Sequence, residues 1–406
     1  MNILQRIFYN LKSTLESTLY ESEVKARWKS LKLPVEVLES VKSDLSTQLK
    51  KKSAPAALLP DEKQTMARIQ EITTKLNRNN ETRTEAYRQI YFRFPELHWA
   101  FLAHMVSRNG GWQMTDLKGN LLPHLLEPNE IVHFFNSLER ANALIFQDAY
   151  PQLLLYEESV RQKKNLFHLL PAFHVSKFMR PVWNEFWARK NSQLLTVALI
   201  INEQCYIQKR VAENPVYQKH VYETLEFKTQ SLLQLTQVVF PFFPRKKHPG
   251  TSPVPRLAGL VMEDFTDLKE RIGVGKSLYA ILFGIEDVFE GALRFAKEVP
   301  HTGSRADYWP HIFSKIKHKD EHDSKERLVA GTLQKGAPPF FSPELQNAWE
   351  AQPVEPPERF DWFTDLSVFE YFRPIQTPDS FDMTDEFLRG LNTVELAVLA
   401  KEHIKP

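Results

Sequence analysis

From Leu97 to Val106 the chain reads LHWAFLAHMV, apolar at every position except two histidines. A helix with no polar face must be enclosed by other elements, so this run demands a body large enough to surround it. A chain of 406 residues can bury a core of that size. Few segments alternate with period 2, while many repeat at 3 and 4, and glycine is scarce at 13 residues. The enclosing elements are therefore expected to be helices. The expected fold class is all-α: a multi-helix globular body with buried central helices and peripheral N- and C-terminal arms. His98 and His104 are expected inside it.

Charge narrows the function classes. The formal net charge is +2, which shows no whole-chain bias toward nucleic acid or an anionic membrane. A lone cysteine, Cys205, excludes an internal disulfide framework and fits a reducing compartment. The first residues, MNILQRIFYNLKSTLES, have neither the apolar stretch nor the small-residue cleavage site of a secretory signal. The longest uncharged run, Thr229 to Pro244, is too short and too rich in glutamine and proline to span a bilayer. A cytoplasmic protein is expected.

In chain order, residues 1–59 read as an amphipathic helical arm and linker, with Leu4, Phe8, Leu11, Leu15 and Leu19 at helical spacing. The polar face is mixed in sign, which favours a helix laid on the protein's own core over membrane-surface contact by residues 1–30. Residues 60–240 read as the helical core. A helix is expected from Pro60 to about Leu76, and Thr82 or Thr84 is placed to cap the next one. Pro95 is expected to open the central helix, and Asn109-Gly110-Gly111 to end it, with a new short turn at Thr115-Asp116. Further helices are expected over Pro128 to about Gln147, Pro151–Ser159, Asn165–Phe178, Leu194–Val211 and Val216–Val239. Five prolines in residues 241–255 mark a loop. Residues 256–335 read as a second helical lobe packed on the core, with helices at Leu257–Ile272, Lys276–Val299 and 312–333. Residues 336–406 are proline-rich, acidic and aromatic. Such aromatics argue against simple disorder, and an arm that wraps the body or docks on a partner is expected, ending in a helix from about Thr384 to His403.

Motifs add little chemistry. Gly273-Val274-Gly275-Lys276-Ser277 suggests a phosphate loop, but Glu270 stands where the first glycine belongs and no strand precedes it. A helix–turn–helix junction is the better reading. His318-Lys319-Asp320-Glu321-His322 spells a zinc-hydrolase signature, yet its charged surroundings lack the dry wall that a metal site needs. No G-x-S-x-G elbow occurs. Cys205 sits between apolar turns as an inert core residue. The short basic run Arg245-Lys246-Lys247-His248 has no stacking module beside it, which argues against nucleic acid. No cofactor and no metal are expected. What remains is a candidate polar pocket. His98 and His104 are about 120° apart on a helix and do not chelate one ion by themselves. With Arg83 (or Arg88), Arg108, Asn109 and Asp116 they combine buried imidazole, guanidinium and carboxylate, a mix that tunes acid–base groups. Arg305 and Asp307, in the loop HTGSRADY, extend that set, although a structural Arg305–Asp307 pair holding the loop is the duller account.

The segments TRTEAYRQIY, PELHWAFLAHMVSRNGGW and MTDLKG (within residues 80–119), ERANALIFQDAYPQLLLYEES (139–159), FHLLPAFHVSKFM (167–179) and TGSRADY (302–308) resemble the YppC-type family of uncharacterised proteins of Gram-positive spore-forming bacteria. The resemblance covers roughly residues 60 to 335. It implies a bacterial cytosolic helical protein and lends no catalytic residue.

Two functional readings follow. One is a non-enzymatic interaction or regulatory protein that engages a protein partner through its C-terminal arm. The other is an enzyme or small-ligand binder with a polar pocket around His98, His104 and Arg108. The sequence leaves open whether the protein is an enzyme.

Overall fold

The computed structural model describes residues 15, 18–22, 31, 33–50, 58–224, 235–245, 254–318, 325–356, 360–375 and 378–404. The expected helix at Leu4–Leu11, the linker at 51–57 and most of the basic patch at 246–248 lie outside these residues. The longer helices are α1 (Val35–Lys50), α2 (Pro60–Leu76), α3 (Asn80–Arg93), α4 (His98–Asp116), α5 (Pro128–Gln162), α6 (Met179–Arg189), α7 (Ser192–Ile207), α8 (Leu268–Gly284), α9 (Glu286–Glu298) and α10 (Thr384–Ile404). Helix dominates, but the fold is mostly α and not all-α. Strands β1 (Gln237–Phe242) and β2 (Arg256–Val261) form an antiparallel pair in which Val239 faces Gly259.

Helix α4 lies at the centre, against α3, α5, α7, α8 and β1. It is buried along nearly its whole length, as a helix without a polar face must be. Its limits differ from the sequence reading. Pro95 lies in a turn before it, Leu97 is its N-cap, and it runs through Gly110-Gly111 to Asp116. Glycine in a helix interior costs roughly 1 kcal/mol against alanine. Here a Cβ on Gly111 would come within 2.4 Å of Asn80 Oδ1 and 2.6 Å of His301 Nε2. Gly111 therefore marks a close approach, and no helix stop. Gly273 and Gly275 likewise lie inside α8, where a Cβ on Gly275 would meet Ile200 of α7 at 2.8 Å.

Local chemistry explains other boundaries. Asn79 caps α3: its Oδ1 accepts from Thr82 N at 2.9 Å, and Thr82 Oγ1 accepts from Asn79 N at 3.2 Å. Thr82 is thus the reciprocating residue and not the cap. Helix α5 continues through Pro151 because the turns around that proline are enclosed on all sides, and packing outweighs the lost hydrogen bond. Residues 167–173 form a 3-10 helix, and α7 passes into a π-helical turn at Gln208–Ala212.

The strands were hidden by their own burial. Segments buried on both faces read as continuous apolar runs, and periodicity cannot tell these from buried helix. Both edges of the pair are covered. Asn109 and Gln113 of α4 hold the β1 edge: Asn109 Nδ2 donates to Gln237 O at 3.1 Å, Val239 N donates to Asn109 Oδ1 at 3.2 Å, and Gln113 Nε2 donates to Leu235 O at 2.9 Å. On the β2 edge Gly259 N donates to Phe381 O and Met383 N donates to Leu257 O, both at 2.9 Å. Pairing removes the association hazard of a bare edge.

Residues 312–333, read as helical, are not. Phe313–Ser314 pairs with Phe340–Phe341, and Leu328–Val329 forms a hairpin with Thr332–Leu333. Its two turn residues, Ala330 and Gly331, both have positive φ, as tight hairpins require. His318 lies in irregular chain, and the remainder of the H-x-x-E-H run falls outside the described residues.

The C-terminal arm wraps the body. Phe363, Phe372, Phe381 and Phe387 are buried in one continuous apolar cluster that runs from Val37 to Val398. Trp349 stacks on Phe135 at 3.9 Å and donates Nε1–H to Met114 O at 2.8 Å. Lys276 Nζ donates to Tyr371 O and Arg373 O at 2.9 and 2.8 Å. From the N-terminal side, Glu21 accepts from Ser380 Oγ, Phe381 N and Asp382 N. No helix among the described residues is long and apolar enough to cross a membrane.

An arm that completes the core has a measurable consequence. Phe381→Ala is expected to lower unfolding free energy by about 3–5 kcal/mol in urea denaturation, the usual cost of emptying a buried phenylalanine site. A loss below about 1 kcal/mol would mean that the arm is an independent appendage.

Candidate functional site

A polar cleft of about 420 Å³ opens between α3, α4 and the chain that leaves α9. Helix α4 contributes His104 and Arg108, residues four apart on one face. The loop after α9 contributes Val299, Pro300 and His301, and α3 contributes the mouth with Glu81, Glu85 and Arg88.

The hydrogen bonds fix both imidazole tautomers. His104 Nδ1 is 2.9 Å from Thr84 O, and a carbonyl only accepts, so Nδ1 carries the proton and Nε2 presents a lone pair. His301 Nε2 is 2.8 Å from Asn80 Oδ1. Asn80 is oriented by its own amide, whose Nδ2 donates to Ser107 O at 2.9 Å. Nε2 of His301 is therefore the donor, and Nδ1 presents a lone pair. Neither His104 Nε2 nor His301 Nδ1 has a hydrogen-bond partner, and the latter lies 3.9 Å from Asp307 Oδ2. Burial, followed by the nearby Arg108 charge, pushes His104 down to about 3. His301 lies well below the usual histidine range for the same two reasons, with His104 and Lys315 adding to the effect. Both rings are neutral acceptors at ordinary pH.

Arg108 is fully buried. It donates from Nη1 to Val299 O at 2.9 Å and from Nη2 to Pro300 O at 3.1 Å, and its guanidinium lies over Phe295 at 4.5 Å. Its Nε has no partner, and among the described residues no carboxylate pairs with it. Burial brings it down to about 10. At the mouth, Glu85 and Arg88 satisfy each other through two hydrogen bonds of 2.8 and 2.7 Å. Lys297 lies over Phe92 at 5.6 Å. Glu81 is raised by burial and by Glu344 and Asp307.

The other residues expected in the pocket lie elsewhere. Arg83 faces away, paired with Glu139 and hydrogen-bonded to Asn77 Oδ1. His98 stacks on Phe283 at 4.2 Å, with Nδ1 2.9 Å from Tyr279 OH. Asn109 serves β1. Asp116 takes Arg305 Nε at 2.8 Å on both oxygens and Nη2 at 2.6 Å, a bidentate pair beside Tyr308 OH. Asp307 does not pair with Arg305. It accepts from Thr302 N and Oγ1 at 2.8 and 2.7 Å and holds the loop that positions His301. Of the eight residues, His104 and Arg108 share the cleft. His301 and Asn80, which complete it, carried no periodic signal in the sequence. The Gly110-Gly111 pair, expected as a helix stop, is the signal that could have marked the close approach. Among the described residues no group of three or more His, Cys, Asp or Glu side chains could hold a metal ion.

Comparison with known proteins bears out the sequence resemblance and extends it. Residues 75–391 match the family model described as "Protein of unknown function (DUF2515)". The match takes in much of the C-terminal arm, beyond the expected limit near 335. The uncharacterized protein YppC of Bacillus subtilis (strain 168) is 37% identical over 346 residues, covering 84% of this chain and 96% of that protein. No solved structure matches.

The depressed His104 gives a signed pH dependence. An unfolded imidazole titrates near 6.5, while the folded one titrates at about 3. Between these values the unfolded chain binds the extra proton, so stability falls as pH falls. The unfolding free energy of the wild type relative to His104→Gln is expected to drop by about 1.4 kcal/mol per pH unit below about 6.5. Urea titrations of both proteins at pH 7 and pH 5 check it, and parallel behaviour would contradict a neutral buried ring.

Proposed function

We propose that the chain, which belongs to the DUF2515 family of proteins of unknown function, binds a small anion carrying its own hydroxyl or N–H donors in the cleft at His104, Arg108 and His301. One observation carries this reading: His104, His301 and Arg108 line one cleft, and each has a buried polar atom, Nε2, Nδ1 and Nε respectively, with no hydrogen-bond partner. Each such atom costs roughly 1–3 kcal/mol; others occur elsewhere among the described residues, and these three are set apart by belonging to residues that line one cleft. Two are acceptors and one is a donor on a cation. Ligand hydroxyls suit the imidazoles, and an acidic oxygen suits Arg108. A volume of about 420 Å³ is within the range of small-molecule sites.

Binding is favoured over catalysis because His104 and His301 are held too far below neutrality to shuttle protons. The interaction-protein reading has less support, since most aromatic side chains of the arm pack wholly or partly against the body, Phe360 being the exposed exception among the described residues.

Calorimetry with glycerol phosphate, tartrate, succinate and glycerol tests the proposal. The hydroxylated anions are expected to bind, and Arg108→Met to weaken them at least about 10-fold, as loss of a charged hydrogen bond does. Circular dichroism verifies that the variant is folded. Equal binding of glycerol, no binding by any hydroxylated anion, or an unchanged affinity in the variant would overturn the assignment.

A further inference from the structure

On the opposite face of α4 lies a second cavity, of about 230 Å³, with a mainly apolar wall. Trp99, Leu102, Ala103 and Val106 of α4 line it together with Phe134 of α5 and Leu278 of α8. Two charged residues reach it, Glu203 of α7 and Arg271 of α8. They do not pair with each other.

Their hydrogen bonding differs in a way that selects a ligand. Arg271 uses four of its five N–H donors on neutral acceptors. Its Nε donates to Gln204 Oε1 at 2.9 Å, Nη1 donates to Phe265 O, and Nη2 donates to Gln208 Oε1 and Gln204 O. Glu203 is not saturated. Oε2 accepts from Trp99 Nε1 at 3.0 Å and Oε1 from Gln204 Nε2 at 3.1 Å, so each oxygen keeps a lone pair. No cation pairs with it among the described residues.

We infer that this chamber is a second ligand site and that it takes a hydrophobic amine, an apolar body that fills the cavity and an ammonium group that meets Glu203. The apolar wall favours a ligand whose surface leaves water. The carboxyl in that wall has no counter-charge, and burial pushes it up to about 8. A cation beside it favours the ionised form and supplies the missing partner. The inference does not depend on the cleft, which opens on the other side of the helix.

Calorimetry with decylamine, decanol and decanoate below their micellar concentrations separates head-group chemistry from chain burial. Decylamine is expected to bind with one site per chain and at least about 10-fold more tightly than decanol. Glu203→Gln is expected to bring its affinity down to that of decanol. Ala103→Trp, which fills the chamber and leaves Glu203 in place, is expected to abolish binding of decylamine. Decylamine and decanol binding alike, decanoate binding best, no decylamine binding, or decylamine unaffected by either folded variant would each overturn the inference. The ranking on the wild-type protein decides the head-group question even if a variant fails to fold.

Discussion

A helix with no solvent-facing side that nevertheless carries polar residues sets the terms for this structure. Most polar side chains of α4 take a partner from another element, because an unmade buried hydrogen bond costs more than a made one gains. Asn109 and Gln113 hold the edge of β1, Arg108 binds the chain leaving α9, and Asp116 clamps Arg305. Segments more than 100 residues distant in sequence are tied to one helix in this way. Gly111 makes the closest of these approaches possible by letting Asn80 and His301 meet against bare backbone.

The same helix separates two environments. At about 100° per residue, His104, Arg108 and Gly111 share one face, while Trp99, Leu102, Val106 and Gln113 lie nearly opposite. The first face turns to the polar cleft and the second to the apolar chamber. A disturbance of α4 therefore reaches both cavities. The arm from residue 336 onward closes the body from outside through Trp349, Phe381 and the carbonyls that Lys276 of α8 binds, and no residue of it lines either cavity.

Burial was legible in the sequence wherever periodicity spoke. The LHWAFLAHMV run announced an enclosed helix, and the aromatics of the tail argued against disorder while leaving open whether it wraps the body or docks on a partner. Residues that sequence reasoning grouped by proximity along the chain separated in space, because side chains on one helix point in different directions. His98 and His104, six positions apart, went to different neighbours, and Asp307 chose Thr302 over Arg305. The strands at Gln237 and Arg256 were illegible because burial on both faces erases the alternation that marks a strand. Gly110-Gly111 looked like a stop because glycine serves helix ends and close approaches equally well, and only the partner across the gap tells them apart. His301 begins the HTGSRADY loop marked as polar in the sequence, but its own role could not be singled out there, because it depends on Asn80, 221 residues earlier in the chain.

The proposed cleft rests on two neutral imidazoles of opposite tautomer. Nitrogen-15 NMR of the histidine rings reads this directly. At pH 6, His104 is expected to carry its proton on Nδ1 and His301 on Nε2, with neither ring doubly protonated. An imidazolium signal at either residue, or the reverse tautomer, would contradict the acceptor geometry on which the ligand assignment depends.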